Sequence, residues 1–176
     1  MVNNKFTEDT RVKIPAVIHL MRLGYTYISK KNNIWNKKNN IFYKILISKL
    51  MKINNISKAE AENYYKELSI LLENDDLGKS FYNKITSDNG IKFIDFENLE
   101  NNSFNVLTEL TFANNEDEFR PDITILINGL PLAFIEVKKP NNREGILSEH
   151  KRTKSRFKNK NFKSFVNSFQ LIAFSN

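Results

Sequence analysis

The sequence predicts a mixed α/β (α+β) fold in which a helical N-terminal part precedes a central mixed sheet flanked by helices. Three observations carry that expectation. Up to about residue 88 the apolar residues recur every three or four positions, the spacing of a buried helix face. From about residue 89 the pattern changes to alternating or continuous apolar runs of strand length. Two Asn-Gly pairs, Asn89-Gly90 and Asn128-Gly129, mark turns in that second half. At 176 residues and 40% hydrophobic content the chain is long enough for one core, and a chain of this size buries roughly 70% of its unfolded surface. No repeat or linker divides it, so residues 1–176 read as a single domain.

The elements follow in order. Ile14, Val17, Ile18 and Met21 keep helical spacing, Pro15 suits a first turn and Gly24 a stop, which predicts a helix near 13–23. Tyr25–Ser29 reads as a short strand. Ile41–Lys52 carries Ile41, Ile45, Leu46 and Leu50 on one side. Ser57 followed by Glu60 is a capping box opening a helix to about Glu73, with Tyr64, Tyr65, Leu68, Leu71 and Leu72 on its apolar face. Asp75–Gly78 is a turn and Lys79–Ile85 a short helix. Ile91–Phe96 and Phe104–Phe112 alternate as strands, followed by a charged loop at Asn114–Glu118. Ile123–Ile127 and Leu130–Val137 are so continuously apolar that they belong at the centre of a sheet, buried on both faces. Beyond Pro140 the chain is helical or looped, with Phe157, Phe162, Phe165 and Phe169 for packing. Leu171–Phe174 closes it as a strand at the sheet edge. Ending in a strand at Ser175-Asn176, the chain is expected to be a fragment of a longer polypeptide.

Composition excludes several chemistries. Cys is absent, which removes disulfides and thiolate sites, and two His cannot build a multi-histidine zinc centre. A bound metal must therefore use carboxylates, carbonyls and water, which favours a hard cation such as Mg²⁺. No apolar run nears the roughly 18 residues of a membrane span, and Met1–Arg11 lacks the apolar core of a signal peptide. Charge is segregated: residues 1–58 carry +10, residues 59–118 carry −10 and residues 141–176 carry +6. Seven basic residues fall between Lys151 and Lys163, a density that suits a phosphate backbone. The Lys/Asn run at Lys30–Asn40 is better read as a solvated surface.

Chemistry concentrates at the central hairpin. Arg120-Pro121-Asp122 opens its first strand and Glu136-Val137-Lys138 closes its second. Burying unpaired charge is costly, so three charges at the rim of an apolar hairpin need a reason. Alternation places Glu136 and Lys138 on one face. A two-residue Asn-Gly turn would pair Asp122 with Ile135 and turn it away from Glu136. Two devices restore agreement: a three-residue loop Ile127-Asn128-Gly129 with Gly129 left-handed, setting Asp122 opposite Phe134, or a compensating bulge nearby. Two convergent carboxylates repel unless a cation sits between them. Mg²⁺ held by Asp122, Glu136 and the carbonyl of Val137 answers that, with a bound water as nucleophile and Lys138 orienting it or stabilising developing charge. An isolated Glu-x-Lys is usually an exposed ion pair; its combination with Pro-Asp and a buried hairpin favours a site.

This stretch resembles the PD-(D/E)xK nuclease motif. More specifically, FRPDITILINGLPLAFIEVKKPNN resembles the N-terminal nuclease domain of the restriction subunit of type I restriction enzymes, often called HsdR. The Asn-Gly-Leu-Pro-Leu link carries most of the likeness, supported by Leu23-Gly24-Tyr25, Phe104–Thr111 and Gln170–Asn176. The resemblance implies a restriction-endonuclease-like core and a catalytic triad of Asp122, Glu136 and Lys138 with Mg²⁺. It also implies a prokaryotic cytoplasmic enzyme cutting double-stranded DNA without sequence specificity of its own. ATP would act only through a translocase region absent from this chain, and modification and specificity subunits would be partners. Two family features are missing. No Gln-x-x-x-Tyr follows Lys138, and neither Glu8, ahead of the first helix, nor Glu109, on a strand, matches the acid usual on that helix. Those gaps keep open a catalytically silent DNA-binding or docking module, or a stand-alone nuclease of the superfamily. Arg120, Lys151, Arg152, Lys154 and Arg156 are candidate DNA contacts. His19 reads as a packing or surface residue and Trp35 as a buried anchor.

Overall fold

The structure, a computed structural model, describes residues 7–87, 90–139 and 144–175. Asp9–Lys13 forms a π-helical turn that runs directly into α1 (Ile14–Arg22), with Pro15 in the first turn. β1 (Thr26–Tyr27) follows, and then α2 (Tyr43–Asn54), α3 (Lys58–Leu71) and α4 (Lys79–Thr86). The capping box opens α3 as expected: Ser57 Oγ accepts from the Glu60 N–H at 3.3 Å and Glu60 Oε2 from the Ser57 N–H at 2.9 Å. The second half holds β2 (Phe104–Thr108), β3 (Phe112–Asn114), β4 (Asp117–Phe119), β5 (Ile123–Ile127) and β6 (Leu130–Val137). It closes with α5 (Gly145–Phe157), α6 (Lys163–Ser168) and β7 (Leu171–Ser175).

The main sheet has the order β1-β2-β5-β6-β7. Its centre is antiparallel and both outer pairings, β1 with β2 and β6 with β7, are parallel. Six α-helices accompany it among the described residues, which makes the fold mixed α/β. The hairpin strands lie at the centre and β7 at an edge, as the sequence predicts.

Side chains explain the layering. Val17 of α1 packs with Val106, Ile123 and Val137 on one face of the sheet. Phe162, Phe165 and Phe169 cover Phe134 on the other, joined by Phe112 and Phe119 from the β3–β4 hairpin. The helices α2, α3 and α4 form their own core around Leu46, Leu50, Leu68, Leu72 and Phe81, and it reaches the sheet through Leu130 and Leu132. Each such fully buried Leu or Phe is worth roughly 1.5–3 kcal/mol.

Three expectations are corrected. Ile91–Phe96 is irregular, not a strand, because side chains take its backbone bonds. Asn54 pairs with both the N–H and the carbonyl of Lys92, Asn102 accepts from the Asp95 N–H, and Asn128 donates to the Phe93 carbonyl. With Phe93 and Ile94 buried, no ladder partner is needed. The strand expected to run to Phe112 stops at Thr108, where Glu109 adopts a left-handed φ of 54°. The loop expected at Asn114–Glu118 is the tip of the β3–β4 hairpin, turned at Asn115 (φ 56°). The first residue of the Asn89-Gly90 turn lies outside the described residues.

Candidate functional site

The geometry begins at the turn. Asn128 (φ 51°) and Gly129 (φ 82°) make a two-residue connection that pairs Ile127 with Leu130. The three-residue loop does not form. Gly129 lies too close to α2 for that latitude: a Cβ there would sit 2.8 Å from the Phe42 carbonyl oxygen, and the Phe42 N–H donates to the Gly129 carbonyl at 2.9 Å. Asn128 is fully buried, donating to the Phe93 carbonyl and to Asn102 Oδ1 and accepting from the Ser103 N–H, all at 2.8 Å. The compensating bulge supplies the missing residue instead. Leu126 pairs with Pro131 but Ile125 with Ala133, so Leu132 is extra on β6. Pro131, which has no N–H for a ladder, is tolerated beside it. Past the bulge Ile123 pairs with Ile135, which sets Asp122 opposite Glu136 on one face.

The three expected residues therefore come together at one end of the sheet. Asp122 Oδ2 accepts from the Val137 N–H at 3.0 Å, and Oδ1 lies 3.4 Å from Lys13 Nζ. Glu136 is buried, and its Oε1 has no hydrogen-bond partner among the described residues. Burial, and after it the charges of Asp122 and Glu149, push the Glu136 carboxyl up to about 8, against the opposing pull of Lys138. Lys138 follows Glu136 on the same face, its Nζ 3.5 Å from Glu149 Oε2 and 4.0 Å from Glu8 Oε1.

The candidate DNA contacts divide. Lys151 and Lys154 are exposed on the outer face of α5. Arg152 is exposed but leans on Glu149 at 2.9 Å. Arg156 turns inward, 3.2 Å from Glu149 with its guanidinium 3.6 Å from the centre of the Phe119 ring, so it is not presented to solvent with the others. Arg120 is exposed and lies 3.9 Å from Glu109, not against Asp122. His19 is a surface residue. Trp35 stacks on Phe42 and donates to the Thr111 carbonyl at 3.3 Å.

Four residues around the site were not singled out by sequence reasoning, or were set aside. Glu149 is 2% exposed and holds Lys138, Arg152 and Arg156. Thr153, four positions on, is also buried, so the two residues face inward together. The signal was the 149/153/156 stripe of an otherwise solvated helix. Glu8 belongs to the helical run after all, because the π-turn starts α1 one turn early. Lys13 is buried among Asp9, Glu109 and Asp122. Burial alone would lower its pKa, but hydrogen bonds to Asp9 and Glu109 and the charge of Asp122 outweigh that and raise it.

Residues 5–176 match the family described as the type I restriction enzyme R protein N terminus. The chain belongs to this family. A protein named as a type I restriction enzyme endonuclease subunit (MjaIXP) from Methanocaldococcus jannaschii is 31% identical over 166 residues, covering 80% of this chain and 16% of that protein. Two more from the same organism, named as the MjaVIIIP and MjaVIIP endonuclease subunits, are 47% identical over 51 and 47 residues, covering 29% and 27% of this chain and 5% and 4% of theirs. The chain thus spans about a sixth of the length of the first of these relatives. The mixed five-stranded sheet with its flanking helices is consistent with the restriction-endonuclease-like core expected of such a domain. No helix is long and apolar enough to cross a membrane among the described residues.

The donor set suits a hard divalent cation. A buried carboxylate oxygen without a partner faces a second carboxylate, and a cation between them would remove both the repulsion and the vacancy in hydrogen bonding. Among the described residues no three acid, imidazole or thiol groups gather to hold a metal, so main-chain oxygen and water would complete the shell.

Proposed function

We propose that this chain is the Mg²⁺-dependent nuclease domain of a type I restriction enzyme, hydrolysing phosphodiester bonds of double-stranded DNA in the prokaryotic cytoplasm. The observation that carries the reading is the bulged register, which sets Asp122 opposite Glu136 on the face that also bears Lys138. Asp122, Glu136 and the Val137 carbonyl would hold the cation, which when bound polarises a phosphate oxygen and lowers the pKa of water. Asp122 is oriented by the Val137 N–H, so its geometry is set by the strand itself. Lys138, held between Glu149 and Glu8, would stabilise negative charge as the bond to phosphorus breaks. The exposed Lys151, Arg152 and Lys154 of α5, together with Arg120, would grip the phosphate backbone. ATP would be used by a translocase region elsewhere in the full-length protein, and the modification and specificity subunits would be its partners.

The test is DNA cleavage by the assembled enzyme, with ATP hydrolysis as the control for folding and assembly. Asp122→Ala, Glu136→Ala and Lys138→Ala should each lower cleavage at least about a hundredfold while ATP hydrolysis persists. Undiminished cleavage by Asp122→Ala or Lys138→Ala would sink the assignment.

A further inference from the structure

One helical turn sets opposite charges against both ends of the site. From Asp9–Lys13 and the residue before it, Glu8 Oε1 approaches Lys138 Nζ at 4.0 Å while Lys13 Nζ approaches Asp122 Oδ1 at 3.4 Å. Lys13 is 8% exposed and holds two more acids, Asp9 at 2.7 Å and Glu109 at 3.1 Å. Because the other oxygen of Asp122 accepts from the Val137 N–H, both oxygens of that carboxylate are engaged. We propose that Lys13 is the resident counter-ion of the site, and that a divalent cation binds by displacing its ammonium from Asp122 Oδ1. This rests on the reading that Asp122 and Glu136 hold such a cation.

The physical argument is a competition for one oxygen. A Mg²⁺ ion takes carboxylate oxygens at about 2.1 Å, which would leave it within roughly 5 Å of an ammonium that stayed in place. At that separation a single and a double positive charge repel strongly enough, even at the dielectric of water, to weaken binding about tenfold. Retreat is built in. Asp9 and Glu109 also hold the ammonium, at shorter distances than Asp122, and both are more open to solvent than Asp122. An open groove lined by Asp9, Ile14, Ile18, Tyr27, Thr108 and Glu109 adjoins Lys13, so the side chain loses one partner of three without leaving its element. The wider winding of the π-turn that carries it gives the backbone an alternative to regular α geometry there.

The probe is Mn²⁺, titrated into the chain without DNA and followed by electron paramagnetic resonance and calorimetry. Lys13→Met should bind the ion about tenfold more tightly than the unaltered chain, and Lys13→Arg, which keeps the charge, about equally. Lys13→Gln keeps length and a donor without charge and must show the same gain, which preserves the test if Lys13→Met does not fold. Equal or weaker binding in the uncharged variants overturns the proposal. Glu136→Gln separates the two readings. If it leaves Mn²⁺ affinity unchanged, the assignment of the metal to Asp122 and Glu136 fails. If it abolishes binding while Lys13→Gln changes nothing, only the role given to Lys13 fails.

Discussion

At the scale of single residues the site is a set of charges whose costs only partly cancel. Glu136 is the clearest case, because burial and two neighbouring carboxylates raise its pKa to about 8 in the metal-free chain. In the unfolded chain the same carboxyl titrates near 4.3. The folded state therefore binds the extra proton between those values, and stability falls as pH rises from about 4.3 through about 8. Urea denaturation of metal-free protein at constant ionic strength should show that decline, of the order of a few kcal/mol at about 1.4 kcal/mol per pKa unit. Glu136→Gln should flatten it. A slope that survives the substitution would assign the pH dependence to other groups. Glu149 is the counterpart, a nearly sealed carboxylate held by three cations, and removing it would leave the half-buried Arg156 on the Phe119 ring without its acid and Lys138 with the more distant Glu8.

At the scale of elements the hairpin decides where these charges go. Gly129→Ala combines a φ of 82° with a Cβ 2.8 Å from a backbone oxygen that cannot yield. It should cost about 2 kcal/mol or more, read as a lower urea midpoint at unchanged slope. Gly24→Ala, at φ 102° with nothing within 4 Å, carries the backbone strain without the collision and should cost less. The hairpin, its central position and the Asp122, Glu136 and Lys138 set were legible in the sequence because apolar continuity and an Asn-Gly turn are local signals. The choice between a longer loop and a bulge was not, since it depends on how closely α2 presses on Gly129. Ile91–Phe96 misled for a related reason. It buries the adjacent Phe93 and Ile94 and exposes Phe96, which a strand with one buried face would not do, and Asn54, Asn102 and Asn128 take the hydrogen bonds that a neighbouring strand would have supplied. Side-chain amides far off in the chain leave no mark on local periodicity. Lys13 left as little mark, because two of its three acids, Glu109 and Asp122, lie about a hundred positions on, whereas Glu149 left a local one in the 149/153/156 stripe of α5.

At the scale of the whole molecule, charge is sorted by surface. Lys151 and Lys154 lie exposed on the outer face of α5, whereas Arg156 is spent inside. The double substitution Lys151→Ala, Lys154→Ala should weaken binding to short duplex DNA and reduce the slope of log affinity against log salt by about 2, at roughly 0.9 per phosphate. Its thermal midpoint should not move. Fluorescence anisotropy over a salt series measures the first, and an unchanged slope would place the DNA on another face. The parallel pairing of β1 with β2 matters at this scale too. Thr26 lies beside Asn105, and Lys13 meets an acid 96 positions along the chain. Closing a loop of that size costs entropy that nearby contacts do not repay, so such pairings come late in folding. The centre draws on positions 8, 13, 122, 136, 138 and 149, so a nascent polypeptide carries these charges scattered, and they come to face one another only when the last of those stretches has met the rest.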